Sequence, residues 1–358
     1  MEMESIIESL ENMTILVTGA TGFLAKIFVE KILRVQPNIK KLFLIVRASD
    51  TKMALHRFQS EVIDKELFRV IKEIYGKNLH TFISEKITVV AGDVSMENFG
   101  VTDFDLLNEM RRQVDVLINS AANTKFDERY DIALEINTFG SKHVYNFADQ
   151  CFNMKLLLHV STAYISGEKS GIILERPFKM GETLNGKNDL NIREEQNAAQ
   201  ERLGQLDAEK LDEEAISCAM KDFGIQRAKL HGWPNTYVFT KAMGEMLLLE
   251  GLRKDVSLVI LRPTIITSTY KEPFPGWIEG IKTIDGYIVA FGKAKFHTFS
   301  LILSKYLTFY DDTNLSKLRS MANLSEMDTF YFDPKSLNWE DYFMNIHIPG
   351  LVKYAIKQ

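Results

Sequence analysis

The sequence predicts an α/β fold: a doubly wound parallel sheet followed by a shortened C-terminal substrate lobe. Three observations predict it. Short apolar β runs alternate with stretches at helical spacing, the pattern of a parallel sheet wrapped by helices. A glycine-rich turn, Thr14 to Ala25 (Thr-Ile-Leu-Val-Thr-Gly-Ala-Thr-Gly-Phe-Leu-Ala), follows the first of those runs. Far downstream, Asn-Thr-Tyr-Val-Phe-Thr-Lys places Tyr237 and Lys241 four residues apart.

Ile15 to Val17 is the first β run, and the turn leads from it into helical spacing over Phe23 to Val35. Lys41 to Arg47 is the second strand, and Lys52 to Ile83 has helical periodicity with mixed charge. Ile87 to Ala91 is the third, ending at Gly92-Asp93. Val114 to Asn119, Leu156 to Ser161 and Val256 to Arg262 supply three more. The runs are continuously apolar rather than alternating, which fits a sheet covered on both faces. Asn191 to Ile216 is highly charged at helical spacing and predicts a solvated helix, with a coiled-coil partner helix as the lesser alternative. Gly292 to Thr329 is polar and weakly patterned, and an aromatic tail runs from Phe330 to Gln358. The chain thus divides into a lead-in (1–12), the doubly wound domain (13–293), an irregular linker (294–329) and the tail (330–358).

The 358 residues are 46% hydrophobic, enough for one large α/β domain and a smaller lobe. A net charge of −5 argues against general affinity for nucleic acid or anionic membranes. Cys151 and Cys218 have no metal-ligand spacing and read as buried, inert thiols of a reducing compartment, and no metal site is expected. The acidic stretch Met1 to Asn12 lacks secretory or transit character. No apolar run approaches the ~20 residues that span a bilayer. The expectation is a cytoplasmic protein, peripheral to a membrane such as the endoplasmic reticulum at most.

The turn carries the first chemistry. Gly19 permits the tight reversal, Gly22 lets the backbone approach a pyrophosphate, and Ala25 is small enough for helix–strand packing. The second strand ends in Val46-Arg47 with no acid to hold ribose hydroxyls. A guanidinium there can pair bidentately with a 2′-phosphate, so Arg47 reads as selection of NADPH, against the alternative of a plain solvated arginine. Asp93, after the third strand, can accept from an adenine amino group or simply cap a turn. Asn119-Ser120-Ala121-Ala122 ends the fourth strand with small residues against which a ribose could lie. On a helix, Tyr237 and Lys241 share a face. A nearby ammonium stabilises phenolate, so Lys241 is expected to lower the Tyr237 pKa and let the phenol give its proton to a carbonyl oxygen. At the end of the fifth strand, Ser161 and Thr162 are both candidates to orient that carbonyl. Arg262-Pro263-Thr264 follows the sixth strand, where backbone could meet a nicotinamide carboxamide.

Together these pieces resemble the extended short-chain dehydrogenase/reductases, with their NAD(P)-binding Rossmann fold. Within them the chain is most similar to the plant-type, alcohol-forming fatty acyl-coenzyme A reductases. The resemblance rests on Thr18 to Ala25, Phe126 to Ile132 with Asn137-Thr-Phe-Gly140, His159 to Gly167, Ala228 to Glu245, and Leu261 to Gly280 with its Glu272-Pro-Phe-Pro-Gly-Trp-Ile-Glu-Gly280. It resumes over Phe330 to Gly350, with Phe-Asp-Pro, Trp339, Tyr342 and His347-Ile-Pro-Gly350. It implies two-step, NADPH-dependent reduction of a long-chain fatty acyl-CoA to a primary alcohol through an aldehyde. It makes Tyr237 the proton donor and Lys241 its partner, gives the hydroxyl role to Thr162 rather than Ser161, and makes Asn137 the supporting asparagine. Gly19, Thr21, Gly22, Phe23, Leu24, Arg47, Asp93 and its neighbour Val94, Asn119, Ala121, Lys241, Pro263 and Thr264 would meet the dinucleotide.

One departure stands out. After Gly292 the family continues with a further strand, a loop and a helical region, whereas this chain passes quickly to the family's terminal block. More than a hundred residues are expected to be missing internally, which would leave Trp339 and Tyr342 without most of their neighbours. Two other readings follow from the residues: a reductase or epimerase of another carbonyl or nucleotide-sugar substrate, and a remnant that binds NADP(H) without turnover.

Overall fold

The protein is described by a computed structural model over residues 5–292 and 308–356. Its strands are β1 (Thr14–Thr18), β2 (Lys41–Val46), β3 (Ile87–Ala91), β4 (Val116–Asn119), β5 (Leu156–Val160), β6 (Gly171–Ile173), β7 (Ser257–Leu261) and β8 (Thr308–Tyr310). Six of them form one parallel sheet in the order β3-β2-β1-β4-β5-β7. The order reverses between β1 and β4, and a doubly wound sheet binds its ligands at the carboxyl ends beside such a switch. β6 and β8 pair separately as a small parallel ribbon.

All five residues of β1 and five of the six of β2 are buried, as continuous apolar runs require. The expectation of cover on both faces fails at the edge. β7 alternates exposed and half-buried positions, with Val259 44% and Leu261 42% exposed.

The principal helices are α1 (Phe23–Val35), α2 (Phe104–Gln113), α3 (Gly140–Gln150), α4 (Ile192–Ala208), α5 (Glu213–Leu230) and α6 (Thr236–Gly251). α1 covers one face of the sheet through Ala25, Val29, Ile32 and Leu33, and α3 the other through Val144, Phe147 and Ala148. The helical stretch expected over 52–83 is broken into short α, π and 3-10 segments. The charged segment expected as one solvated helix is two packed ones. Asp212 caps α5 by accepting from the Ala215 amide, which ends the first helix before it. On α4, Ile192, Ala199 and Leu206 are buried in a third core with α5 and α6. Glu195 is buried there too, accepting from Tyr130 Oη (2.6 Å), Arg227 and His231 Nε2 (3.0 Å). Burial alone would raise its carboxyl, but those three donors override it and hold the group at about 2.

Cys151 is buried, with its thiol pushed up to about 12 by burial. Cys218, expected to be buried, is instead exposed on the solvent side of α5. Among the described residues no helix is long and apolar enough to cross a membrane, and no cluster could hold a metal ion.

The stretch expected as irregular lies outside the described residues before Thr308. From there it forms β8 and a helix, Thr313–Ser320. The aromatic tail does not lose its neighbours wholesale. Trp339 is 53% exposed, but Tyr342 is buried and its hydroxyl meets Thr267 Oγ1 (2.7 Å) and the Ser268 carbonyl (2.8 Å). His347 is fully buried between Ser268 Oγ (3.1 Å) and Asp285 Oδ1 (3.0 Å). Gly350 sits against the backbone of Gly276, so close that a Cβ on Gly350 would lie 1.9 Å from the Gly276 carbonyl oxygen. Gly350→Ala must therefore push the tail off the 272–280 loop, at about 1–3 kcal/mol for such overpacking. A lower thermal midpoint with faster proteolysis of the tail is expected; an unchanged midpoint and digestion pattern would show that the glycine contact does not anchor it.

Candidate active site

The carboxyl ends of β1, β4 and β5 carry a polar row. Thr18 pairs in register with Asn119, and Asn119 with His159. All three side chains are buried within otherwise apolar strands. The Thr18 hydroxyl lies 2.7 Å from Asn119 Oδ1, and Asn119 Nδ2 lies 3.0 Å from His159 Nδ1. The row continues to α6, where Lys241 Nζ stands 3.1 Å from His159 Nε2 and donates to the Val160 carbonyl (2.8 Å).

α6 is positioned by packing along its whole length. Asn235 caps it through the Val238 amide, and Phe239 stacks on Tyr130. Gly244 lets it approach the segment carrying Asn137: a Cβ there would fall 2.3 Å from the Asn137 carbonyl oxygen. Lys241 is consequently fully buried, and burial pushes its ammonium down to about 8 against the pull of the Glu245 carboxylate one turn on. Glu245 is itself held by Arg262 (3.0 and 2.5 Å).

Tyr237, one turn before Lys241, is half-buried, with the exposed Phe126 ring stacked near it at 6.1 Å. The expected lowering of its pKa is not found. Burial raises the phenol, Thr162 opposes the rise, and the Lys241 nitrogen meets His159 Nε2 and the Val160 carbonyl rather than the phenol. Of the two candidate hydroxyls, Thr162 is the one that bears on the Tyr237 phenol, and its Oγ1 accepts from the Tyr164 amide (3.3 Å). Ser161 Oγ is buried without a hydrogen-bond partner among the described residues. Asn137 does not meet Lys241. Its amide clamps the Asn123 backbone (2.9 Å each way) and Thr240 Oγ1 (3.0 Å). Sequence reasoning gave His159 no role, although a histidine inside Leu-Leu-Leu-His-Val was the available signal.

The nucleotide turn is shaped as its glycines require. Gly19 has φ +69°, and a Cβ on it would lie 2.8 Å from the Ala121 backbone, a position only glycine fills without a clash. Gly22 caps the N-terminus of α1, whose first amides face the crevice mouth beside Thr21 and Leu24. Phe23 stacks flat on Trp277 at 5.0 Å, which ties the Pro-Phe-Pro-Gly-Trp segment to the turn. Three proposed contacts are engaged internally: Asn119 by Thr18 and His159, the Ala121 amide by Thr18 Oγ1 (3.1 Å), and the Pro263 carbonyl by the Ala163 amide (2.9 Å). Thr264 is exposed beside it. Asp93 Oδ1 accepts from the Ser95 amide and hydroxyl (2.9 and 2.8 Å), the turn-capping alternative, next to buried Val94. Arg47 is exposed just past the end of β2. Its carbonyl accepts from Arg57, so a second guanidinium, not anticipated, lies at the same strand end, paired to Glu61 (2.7 Å).

Two family profiles, both described as male sterility protein, match residues 17–311 and 293–358. A "Probable fatty acyl-CoA reductase 4" of Arabidopsis thaliana is 56% identical over 489 positions, covering 98% of this chain and 99% of that one. The chain belongs to the plant fatty acyl-CoA reductase family. The "Alcohol-forming fatty acyl-CoA reductase" of Simmondsia chinensis is 39% identical over 491 positions, covering 99% of each. "Fatty acyl-CoA reductase 1" of Arabidopsis thaliana is 56% identical over 83% of this chain and 60% of that one. Against 489 aligned positions the 358 residues leave at least 131 positions with no counterpart here, so this family member is internally shorter than its relative. The two profiles meet between residues 293 and 311. Among solved structures, the terminal R domain of the myxalamid PKS-NRPS pathway aligns with a TM-score of 0.46 at 17% identity, over 87% of this chain and 70% of that one.

Proposed function

We propose that this chain reduces a long-chain fatty acyl-CoA to a primary alcohol in two NADPH-dependent steps through an aldehyde. The observation that carries the reading is the half-buried Tyr237 one helical turn before the fully buried Lys241 on α6, with Thr162 just past the end of β5. A phenol and a hydroxyl presented from neighbouring elements suit a carbonyl oxygen that gains negative charge. In the first step they hold the thioester carbonyl, and the oxyanion that forms collapses by expelling the CoA thiolate. In the second they hold the aldehyde, and Tyr237 gives its proton to the alkoxide. NADPH, when bound, would supply the hydride of each step, two per alcohol. Gly19, whose tight turn against the Ala121 backbone leaves no room for a Cβ, and the first amides of α1 would cradle its pyrophosphate. Lys241 keeps one ammonium proton beyond those given to His159 and Val160, free for a ribose hydroxyl. Expression in a host followed by lipid analysis tests the reading: new fatty alcohols are the expected product.

Arg47, solvent-facing at the end of β2 with Arg57 beside it, is proposed to select the 2′-phosphate. Arg47→Ala should weaken NADPH binding by roughly 10- to 150-fold, the scale of about 1.5–3 kcal/mol for a hydrogen bond to a charged group. NADH binding should change little. Equal losses for both cofactors in fluorescence titrations would remove Arg47 from this role.

A second reading is favoured by the exposed edge of β7. A remnant with an intact nucleotide site and an incomplete acyl site would bind NADPH and yield no alcohol in the same host.

A further inference from the structure

The buried row that ends on Lys241 obeys a strict proton count. His159 is 1% exposed, with Asn119 Nδ2 3.0 Å from Nδ1 and Lys241 Nζ 3.1 Å from Nε2. A neutral imidazole carries one N–H and offers one acceptor. An imidazolium would point a proton at the ammonium in a fully buried site, and burial together with Lys241 drives the ring strongly towards the neutral form. If Lys241 is an ammonium, it donates to Nε2, so the ring proton must sit on Nδ1. The partner of Nδ1 must then be the amide oxygen of Asn119. That requires the Asn119 amide to be turned by a half rotation, which the near-identical shapes of the amide oxygen and nitrogen permit. The turned amide donates through Nδ2 to Thr18 Oγ1, which has room for a second donor beside the Ala121 amide. If Lys241 is a neutral amine, the whole row reverses: Asn119 Nδ2 donates to Nδ1, and Nε2–H donates to the amine. The row therefore has two self-consistent states, and the charge of Lys241 decides between them.

We propose that His159 is the positioning residue of this site: a neutral ring, protonated on Nδ1, that accepts a proton of the Lys241 ammonium at Nε2 and aims it along the Tyr237 face of α6. The proposal rests on reading Tyr237 and Lys241 as the reducing pair, and it assigns to His159 the hold on lysine that Asn137 does not supply, since Asn137 is committed to Asn123 and Thr240. The other groups that face the lysine are few. Glu245 lies on its own helix, neutralised by Arg262 from the segment after β7, and the Val160 carbonyl comes from β5. Tyr237, a turn earlier, is directed to Thr162. Without the imidazole acceptor, a fully buried ammonium would keep one good partner, the Val160 carbonyl.

Two measurements on the full chain test this. With 15N-labelled histidine, the His159 ring should report the Nδ1–H tautomer at about pH 6.5 and change to Nε2–H, without passing through an imidazolium, as the pH rises past about 8, where Lys241 titrates. An imidazolium, or Nε2–H already at the lower pH, overturns the proposal. In carbonyl reduction, His159→Leu should move the alkaline fall of kcat/KM down by at least about one pH unit, a tenfold easier loss of the ammonium proton. His159→Gln, which restores an acceptor oxygen, should bring it back. An unmoved alkaline limb in His159→Leu overturns the proposal while leaving the reductase reading intact. If the parent chain reduces no carbonyl at all, it is the reductase reading that fails, and the tautomer measurement alone decides the role of His159.

Discussion

Tyr237→Phe should abolish most carbonyl reduction while leaving the fold and NADPH binding in place. The substitution removes one oxygen and keeps the ring that sits near Phe126, so packing around α6 is preserved. What is lost is the proton donor, an effect of typically 10²–10⁴-fold in rate. Because burial raises the phenol, Tyr237 stays protonated at neutral pH and is an acid ready to donate rather than a phenolate. Its partner Lys241, brought to about 8 by burial, is the group whose ionisation should limit activity on the alkaline side. The ammonium is present below that value and lost above it, so the rate should fall as the pH passes about 8. Single-turnover reduction of a long-chain aldehyde by the variant is the direct measurement. Near-normal turnover would exclude Tyr237 as the acid.

What was legible in the sequence was what local pattern controls. Each of the six apolar runs is a strand of the main sheet, because Leu-Phe-Leu-Ile-Val or Leu-Leu-Leu-His-Val can only be buried between helix layers. α1 begins and ends where its spacing does, since Gly22 and the preceding turn fix its start. What was not legible depended on contacts far apart in the chain. The ribbon of β6 and β8 joins residues some 137 positions apart and has no repeat to announce it. The burial of Glu195 is intelligible only once Tyr130, Arg227 and His231 are seen around it. The site divides in the same way. Gly19 and the Tyr237–Lys241 spacing could be read from motif and period, while Ser161 and Thr162 stayed alternatives until the family resemblance favoured Thr162. The direction of the Lys241 ammonium could not, because it is set by a histidine two strands away from the glycine turn and 82 residues from the lysine. The expected pKa lowering of Tyr237 failed chiefly because burial raises the phenol, and spacing that places two groups on one face says nothing about how deeply the fold buries them.

The internally shortened chain should bind NADPH but turn over long-chain acyl-CoA poorly, below its full-length relatives by about a hundredfold, the scale on which ~1 Å of substrate misplacement costs an enzyme. An acyl chain needs a continuous apolar wall, and the structure shows where that wall is interrupted. Among the described residues β7 is an edge strand, where the resemblance led to the expectation of a further strand. Val259 and Leu261 share a face with Leu158 and Val160 of β5, and both stay more than two-fifths exposed. Ile265 and Ile266, just beyond, are each 42% exposed. By contrast β1, in the sheet centre, is buried throughout. Covering the exposed fraction of each of these four side chains would be worth about 1 kcal/mol apiece, given about 1.5–3 kcal/mol for full burial. Left uncovered, they form with the unpaired edge of β7 a surface prone to self-association. The docked tail does not fill this gap, since Tyr342, His347 and Gly350 engage the segments around Ser268 and Gly276 instead. Inserting a family-like strand and helical region after Gly292 should raise alcohol formation and lower aggregation together, read by lipid analysis and light scattering of the same preparations. Robust fatty alcohol production by the 358-residue chain as it stands would refute the prediction and place the whole acyl groove within the first 293 residues.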